Sequence, residues 1–183
     1  SLAAIGRNAG QPGTLTVTGA GTSWTGLDWV GFDSAGTVAV TAGALLAADR
    51  DLLLGFFAPG SMTVDGPGSR LNADQVLSVG MGYASSLTVS GGGTLRAGRE
   101  MWVAGTSAAA SVLRFVGAGS GTDISTNNPI VHLNTGGTLE VSNGAAPSVL
   151  MVVGDANGSV RRGLISVRGQ GTLLSVRNGV PLG

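Results

Sequence analysis

The chain has no cysteine, no lysine and only one histidine among its 183 residues. Without cysteine it can form neither disulfide bonds nor thiolate metal sites. Charged residues amount to 11%, and ten arginines balance ten acidic residues. Because nucleic-acid binding and electrostatic docking on membranes both require a basic surface, we expect neither as a partner of this chain.

Long apolar runs are also missing. No segment approaches the roughly 18 consecutive apolar residues of a membrane helix, so we expect no membrane insertion of this segment. Aromatic residues make up only 4%, whereas apolar residues of all kinds make up 43% and glycine contributes 33 residues. Disordered chains lack that much apolar surface, so the composition indicates a folded, glycine-rich domain.

A three-residue pattern, apolar–x–apolar, recurs along the chain. Its copies begin at residues 15, 38, 62, 87, 113, 139 and 165, so the spacing is 23–26 residues. A second pattern of the same kind, such as Leu77-Ser78-Val79, ends most units, and a weaker one lies between the two. Each pattern has the two-residue period of a β-strand and is too short for a helix.

These repeats predict an all-β fold. A unit of about 25 residues with three short strands cannot bury its apolar side chains alone, so neighbouring units must stack. We therefore predict a right-handed parallel β-helix, one β-solenoid domain over residues 1–183 with about seven coils and three short strands per coil. An antiparallel sandwich is the alternative, but it gives no reason for so regular a spacing.

Glycine clusters separate the strands. Gly91-Gly92-Gly93 precedes another strand, so it lacks the helix N-terminus that makes a glycine loop bind phosphate. The same place holds Gly66-Pro67-Gly68 in another unit, which predicts a recurring sharp corner with positive φ. The segment Gly154–Gly158 offers too few carboxylates for calcium and is predicted as a plain turn. We expect no metal and no cofactor.

Two stretches of the repeat carry a resemblance. The segments G-T-L-T-V-T-G-A-G-T-S-W-T-G-L-D-W-V-G (13–31) and S-L-T-V-S-G-G-G-T-L-R-A-G-R-E-M-W-V-A-G (86–105) resemble the autotransporter and PEP-CTERM-associated repeat. The similarity extends over residues 5–105 and is looser afterwards. It implies a fragment of a longer β-helical passenger of type V secretion, displayed outside the outer membrane of a Gram-negative bacterium as an adhesin or virulence factor. The repeat carries no catalytic residue to transfer.

Two acidic residues are the strongest candidates for catalysis. Asp49 and Asp74 each lie five residues before the last core position of their unit, so neighbouring coils would place them about 5 Å apart. That distance suits the carboxylate pair of a retaining glycosidase. Arg99 and Glu100 take this place in the next unit, as in a solvated corner of mixed charge. We therefore predict no enzyme activity, and keep a polysaccharide-acting enzyme with these stacked acids as the alternative.

The middle residues of the last pattern in each unit form an unusual outward row. Its predicted members are Trp29, Leu53, Ser78, Trp102, His132 and Val152. A continuous apolar stripe on a surface usually marks a contact. Loops that fold over it, a lateral partner or second copy, or sugars stacked on the aromatic rings would each explain it. We predict Trp29, Leu53, Trp102, His132 and Val152 as binding or interface residues.

The predicted function is structural and adhesive. The chain is expected to be a rigid segment of a secreted or surface-displayed bacterial protein that contacts a protein or glycan on host cells, sibling cells or matrix, self-association included. Polymerisation through the open ends of the solenoid is a further hypothesis, because unpaired strand edges template more strands.

Overall fold

The structure is a computed structural model. It describes residues 3–105, 110–123, 129–154 and 163–176, with the backbone alone for 151–154. Within these ranges the chain forms 21 β-strands and no helix, so no described helix could cross a membrane. Every strand pairing of the described residues is parallel, which is the arrangement that the stacked repeat predicts.

Three sheets run along the stack, and we name them A, B and C. Sheet A contains the strands that end most of the sequence units, and neighbouring strands in it come from successive units. Its members are β1 (Ala3–Ile5), β4 (Leu27–Val30), β7 (Leu52–Leu54), β10 (Val76–Val79), β13 (Glu100–Val103), β16 (Ile130–Leu133) and β19 (Met151–Gly154).

Sheet B contains the seven copies of the first sequence pattern. Its members are β2 (Gly13–Thr18), β5 (Gly36–Thr41), β8 (Gly60–Asp65), β11 (Ser86–Ser90), β14 (Ser111–Val116), β17 (Gly137–Ser142) and β20 (Leu164–Arg168). These strands are in register without a bulge, because the pattern of alternating apolar residues is complete in each of them.

Sheet C contains the weaker pattern and is shorter. Its members are β3 (Ser23–Thr25), β6 (Leu45–Ala48), β9 (Arg70–Ala73), β12 (Thr94–Ala97) and β15 (Gly121–Thr122). The last two strands, β18 (Ser148–Val149) and β21 (Ser175–Val176), pair only with each other among the described residues.

One coil comprises a strand of sheet B, then one of sheet C, then one of sheet A. Sheets A and B have seven strands each, so six turns of the chain connect the first strand of a sheet to its last. This arrangement confirms the predicted parallel β-solenoid. We number the coils by aligned residues at the start of sheet B. Coil 1 is 13–35, coil 2 is 36–59, coil 3 is 60–84, coil 4 is 85–110, coil 5 is 111–136, coil 6 is 137–162, and coil 7 starts at 163.

The core is a stack of apolar ladders between the sheets. One ladder follows sheet B and consists of Val17, Val40, Val64, Val89, Phe115 and Val141, all at most 3% exposed. Burying one such side chain contributes about 1.5–3 kcal/mol, so the repeated pattern is the main source of stability. The two ends differ, because no described coil covers them. There Trp24, Ile165 and Val167 take inward positions and remain 43%, 38% and 45% exposed.

The glycine corners have the predicted conformation. Gly91 and Gly92 join β11 to β12 with φ of +56° and +89°, values that cost little for glycine and more for other residues. They turn the chain between two strands, as expected.

Strand β4 of the first coil contains a bulge. Asp28 falls in an inward slot of the simple alternation, but the pairing of β1 with β4 skips it, so Leu27 and Val30 are both fully buried. Asp28 is the extra residue of this bulge, and its Oδ2 accepts a hydrogen bond from the amide of Ala3 at 2.9 Å.

The sixth coil corrects the predicted outward row. His132 pairs with Val153, and Val152 pairs with the buried Val131. The predicted register is therefore wrong by one residue at Val152. Apolar residues occupy every position from 149 to 153, so the two-residue alternation that fixes which face a strand buries is absent there.

Candidate functional site

The outer face of sheet A carries the row that the sequence singles out. Trp29, Leu53, Ser78, Trp102 and His132 are successive register partners across five strands. We call these five residues the outer strip. Backbone pairing keeps neighbours in it about 4.8 Å apart, so its side chains form one continuous line along the solenoid.

The outer strip is partly covered by the chain itself. Ser78 is 1% exposed, and the other four residues are half-buried. Turns after two strands of sheet A provide covering side chains, since the ring of Phe32 packs against Trp29 and the sulfur of Met81 lies 3.7 Å from Oγ of Ser78. The protein's own loops therefore cover part of the outer strip, which is the first of the three explanations for an apolar outward row.

An aromatic cluster covers the first half of the strip. It consists of Trp29, Phe32, Phe56 and Phe57. The rings of Trp29 and Phe32 lie 5.1 Å apart, those of Phe32 and Phe56 are stacked at 6.0 Å, and those of Phe56 and Phe57 meet edge to face at 4.4 Å. Such offset and edge-on contacts each contribute about 0.5–1.5 kcal/mol beyond the area they bury.

Backbone hydrogen bonds hold these rings in place. The turn of coil 2 stacks on that of coil 1, since the amide of Phe56 donates to the carbonyl of Gly31 and that of Phe57 to the carbonyl of Phe32, both at 3.1 Å. Gly31 begins the turn with φ of +78°, and a Cβ there would collide with the carbonyl oxygens of Ala58 and Pro59. The cluster is thus part of the solenoid's hydrogen-bonded frame.

Two aromatic residues leave much of their surface in solvent. Phe57 is 54% exposed and Tyr83, in the corresponding turn of coil 3, is 48% exposed. The amide of Tyr83 donates to the carbonyl of Gly55 at 3.0 Å. Exposed aromatic rings held by a rigid backbone can pack against a protein surface or stack on a sugar ring at small entropic cost.

The second half of the strip is a polar aromatic group formed by Glu100, Trp102 and His132. The indole and imidazole rings are stacked, with centroids 4.0 Å apart and an angle of 11°. The Nε1 of Trp102 donates to Oε2 of Glu100 at 2.9 Å. The same oxygen lies 3.8 Å from Nε2 of His132. This nitrogen atom is buried and has no hydrogen-bond partner among the described residues.

Two opposing effects act on His132. Burial lowers the pKa of the imidazole from its ordinary value, and the carboxylate of Glu100 raises it by a smaller amount. Burial therefore favours the neutral imidazole, packed against the indole.

The candidate acids occupy neighbouring coils as predicted. Asp49 and Asp74 directly follow Ala48 and Ala73, which are register partners in sheet C, and both acids are exposed. Coil 4 has Gly98 at this position, so the row of acids ends after two members. The nearby Asp51 binds backbone, because its Oδ1 accepts the amide of Val76 at 3.1 Å.

No metal site is found in the described part of the chain. There, no group of three or more histidine, aspartate or glutamate residues is placed to hold a metal ion. A shallow groove of about 390 Å³ runs over coils 1 to 5 between sheets A and B, lined by small and hydroxyl residues such as Ala35, Pro59 and Ser61. It has no titratable side chain, so it offers no acid or base. The segment Gly154–Gly158, predicted as a turn, extends beyond the described residues.

Sequence reasoning missed the residues that cover the strip. Phe32, Phe56, Phe57 and Tyr83 lie in turns rather than in the strand patterns. A signal was present in the sequence. In successive units, Val30-Gly31 is followed by Phe32, and Leu54-Gly55 is followed by Phe56-Phe57. Aromatic residues at equivalent places of neighbouring repeats predict stacking between coils.

Comparison with known proteins assigns no relative. No family model, no curated protein and no solved structure matches the chain.

Proposed function

We propose that this chain is a structural and adhesive segment that makes contact through the aromatic turns of sheet A. The observation that carries the proposal is the exposure of Phe57 and Tyr83 beside the ordered cluster of Trp29, Phe32 and Phe56. A rigid frame that presents aromatic rings binds without ordering a flexible loop, which lowers the entropic cost of association. The partner is a protein or glycan of a cell surface or matrix, another copy of the chain included.

The proposed place of action is the surface of a Gram-negative bacterium. The support for it is the resemblance of residues 5–105 to the autotransporter and PEP-CTERM-associated repeat. The lack of lysine and the balanced charge fit a partner recognised by stacking and apolar contact rather than by charge.

A bead-retention assay tests the adhesive function. Beads that display the chain are passed over immobilised polysaccharides, matrix proteins, bacterial cells and the chain itself. We expect retention on at least one of these surfaces, and a drop of tenfold or more when Phe57 and Tyr83 are both replaced by alanine. Thr63→Ala is the matched control, because Thr63 is exposed on sheet B, away from the aromatic turns. The proposal is wrong if the wild-type beads are retained on none of the surfaces, or if the control variant loses as much as the aromatic one.

A polysaccharide-acting enzyme is the second candidate. The observation in its favour is that Asp49 and Asp74 follow paired residues of neighbouring strands. Release of reducing sugar from a panel of bacterial and plant polysaccharides tests it. Loss of that release in both Asp49→Asn and Asp74→Asn would support the enzyme, whereas no release by the wild-type chain would exclude it for the panel.

A further inference from the structure

Two kinds of corner alternate along the edge between sheets B and C. Coils 2, 4 and 6 turn through two residues, and coils 1, 3, 5 and 7 turn through three. The two-residue corners are Ala42-Gly43, Gly91-Gly92 and Asn143-Gly144. The three-residue corners are Gly19-Ala20-Gly21, Gly66-Pro67-Gly68, Gly117-Ala118-Gly119 and Gly169-Gln170-Gly171.

The two corners are different β-turns. In the two-residue corner both residues have positive φ, as for Ala42 at +53° and Gly43 at +81°, and the amide of Ala44 donates to the carbonyl of Thr41. That is a type I′ turn. In the three-residue corner the amide of Ser69 donates to the carbonyl of Gly66, with Pro67 and Gly68 as the central residues. Proline followed by a glycine of positive φ is the signature of a type II turn.

A hydroxyl residue ends every three-residue corner, and in coils 3, 5 and 7 it links the corner to the coil before. Ser69 Oγ accepts the amide of Gly43 at 3.0 Å and donates to the carbonyl of Asp65 at 2.6 Å. Ser120 Oγ likewise accepts the amide of Gly92 at 3.0 Å, and Thr172 Oγ1 that of Gly144 at 2.9 Å.

Each of these hydroxyl groups thus accepts a hydrogen bond from the amide of the glycine at the second position of a two-residue corner. Ser69 is fully buried and Ser120 is 1% exposed, so loss of the bond leaves a buried donor or acceptor without a partner. Toward the following coil a different bond forms, in which the amide of the first glycine donates to the end of the next strand. Gly19, Gly66 and Gly117 donate in this way to Thr41, Ser90 and Ser142 at 3.1–3.3 Å.

We propose that the unit of assembly in this solenoid is a pair of coils, and that a coil of one corner class accepts only a coil of the other class as its neighbour. A two-residue corner provides the glycine amide that the hydroxyl group of the following three-residue corner accepts. The bond from the first corner residue to the next strand end forms in both classes, since Asn143 of a two-residue corner donates to the carbonyl of Arg168 at 3.2 Å. Two corners of the same class lack the pairing of glycine amide and hydroxyl group. The inference concerns coil-to-coil recognition and is independent of the adhesive function.

The same rule specifies what fits the open edge of coil 7. That edge has a three-residue corner ending at Thr172, and its inward Ile165 and Val167 are partly exposed. Among the described residues, no strand pairs with β20 or β21 on that side. A coil with a two-residue corner completes the edge, whereas coil 1 of a second copy presents another three-residue corner.

Side-chain substitutions test the bond that defines the pair. Ser69→Ala should lower the melting temperature by several degrees, because the amide of Gly43 loses its acceptor. Ser69→Thr should retain most of the stability, since Thr172 makes the same bond in coil 7. Thr22→Ala is the matched control: Thr22 ends the corner of coil 1 and is exposed, and no described corner precedes it. Equal effects of Ser69→Ala and Thr22→Ala would overturn the proposal.

Deletion of whole coils tests the class rule. Removal of residues 31–54 joins Val30 to Gly55 and places two three-residue corners together, and removal of 55–79 joins Leu54 to Gly80 and places two two-residue corners together. Removal of 31–79 joins Val30 to Gly80 and restores the alternation. All three junctions connect a buried apolar residue to a glycine. The deletion of 31–79 also removes Phe32, Phe56 and Phe57, more of the aromatic cluster than either single-coil deletion, so a higher melting temperature of that variant cannot come from the cluster.

We expect the variant that loses the most residues to be the most stable of the three. The variant without residues 31–79 loses two coils, yet it should melt at a higher temperature than either single-coil variant. A melting temperature below that of either single-coil variant would contradict the class rule. If none of the three deletion variants folds, the comparison of Ser69→Ala with Thr22→Ala decides alone.

Discussion

The imidazole of His132 lies parallel to the indole of Trp102, with 4.0 Å between the ring centroids. The two residues come from neighbouring coils and are register partners of sheet A. The carboxylate of Glu100, two residues before Trp102, binds the indole Nε1 and lies close to the imidazole. Glu100, Trp102 and His132 thus form a small packed layer on the outer face of sheet A. Substitutions in this layer measure how much it contributes to the stability of the chain.

Replacement of Trp102 by alanine should destabilise the monomer. The side chain is half-buried, stacked and hydrogen-bonded, so we expect a loss of about 2 kcal/mol, less than for a fully buried tryptophan. For a chain of this length that corresponds to a fall in melting temperature of about 4–8 °C by differential scanning calorimetry. If the melting temperature stays unchanged while the oligomer size changes, Trp102 is instead an interface residue.

Stability should fall as the pH decreases through the range in which histidine titrates. Burial lowers the pKa of His132 in the folded chain below its ordinary value of 6.5. The unfolded chain therefore binds more protons than the folded one, and the contribution of His132 is complete above pH 6.5 and declines below it. Urea denaturation from pH 8 to pH 5.5 measures this decline, which should be smaller in His132→Gln.

The variant Glu100→Gln provides the matching control for this pH dependence. The carboxylate of Glu100 raises the pKa of His132 and so opposes the effect of burial. Without it the pKa should fall further and the loss of stability toward pH 5.5 should increase. A smaller loss in Glu100→Gln than in the wild-type chain would show that the carboxylate does not raise the pKa of His132.

The fold follows from sequence because one pattern is repeated with complete alternation. Each strand of sheet B has apolar residues at two inward positions, such as Leu87 and Val89, and the same pair recurs once per coil. Where the alternation is lost, at residues 149–153, the predicted face of Val152 was wrong by one residue. The repeat of 23–26 residues therefore predicts the sheets and the core. The alternation of apolar and polar residues within a strand predicts the register of that strand.

The candidate site was less predictable, because its residues lie in turns. Strand patterns identified Trp29 and Trp102, but Phe57 and Tyr83 belong to no two-residue pattern. The alternation of corners was also overlooked, although Gly-x-Gly followed by serine or threonine recurs at this corner in coils 1, 3, 5 and 7. The segment Gly91-Gly92-Gly93-Thr94 of coil 4 has the same letters but turns through two residues, which obscures the alternation in the sequence. Both features appear only when turns of successive coils are compared with each other.

The core ladder of sheet B contains one large residue whose removal should be costly. Phe115 is fully buried at a position where the other buried coils have valine, so Phe115→Ala should lose about 3–5 kcal/mol in urea denaturation. Arg114→Ala, one residue earlier on the outer face, is the control. Its ion pair with Glu140 measures 2.8 Å, with side chains 41% and 29% exposed, and such pairs contribute at most about 1 kcal/mol. Similar losses in both variants would mean that coil 5 is not packed as described.

Two glycines with the same backbone conformation should respond very differently to alanine. Gly55 has φ of +74° and Gly10 has φ of +76°, so both substitutions carry the penalty of a left-handed residue, about 1–2 kcal/mol. A Cβ at Gly10 meets nothing within 4 Å, whereas at Gly55 it collides with Ser85 Oγ and lies 2.7 Å from the carbonyl oxygen of Tyr83.

That collision should add to the cost at Gly55 alone. Ser85 Oγ accepts the amide of Gly60 and donates to the carbonyl of Tyr83, both at 3.0 Å, and the side chain is buried. Moving it breaks both bonds, so Gly55→Ala should melt well below Gly10→Ala, by about 5 °C or more. Because Gly55 also begins the turn of Phe56 and Phe57, bead retention should fall in the same variant. Equal melting temperatures for the two alanine variants would show that the turn after β7 yields to the added methyl group without breaking the contacts that place the aromatic rings.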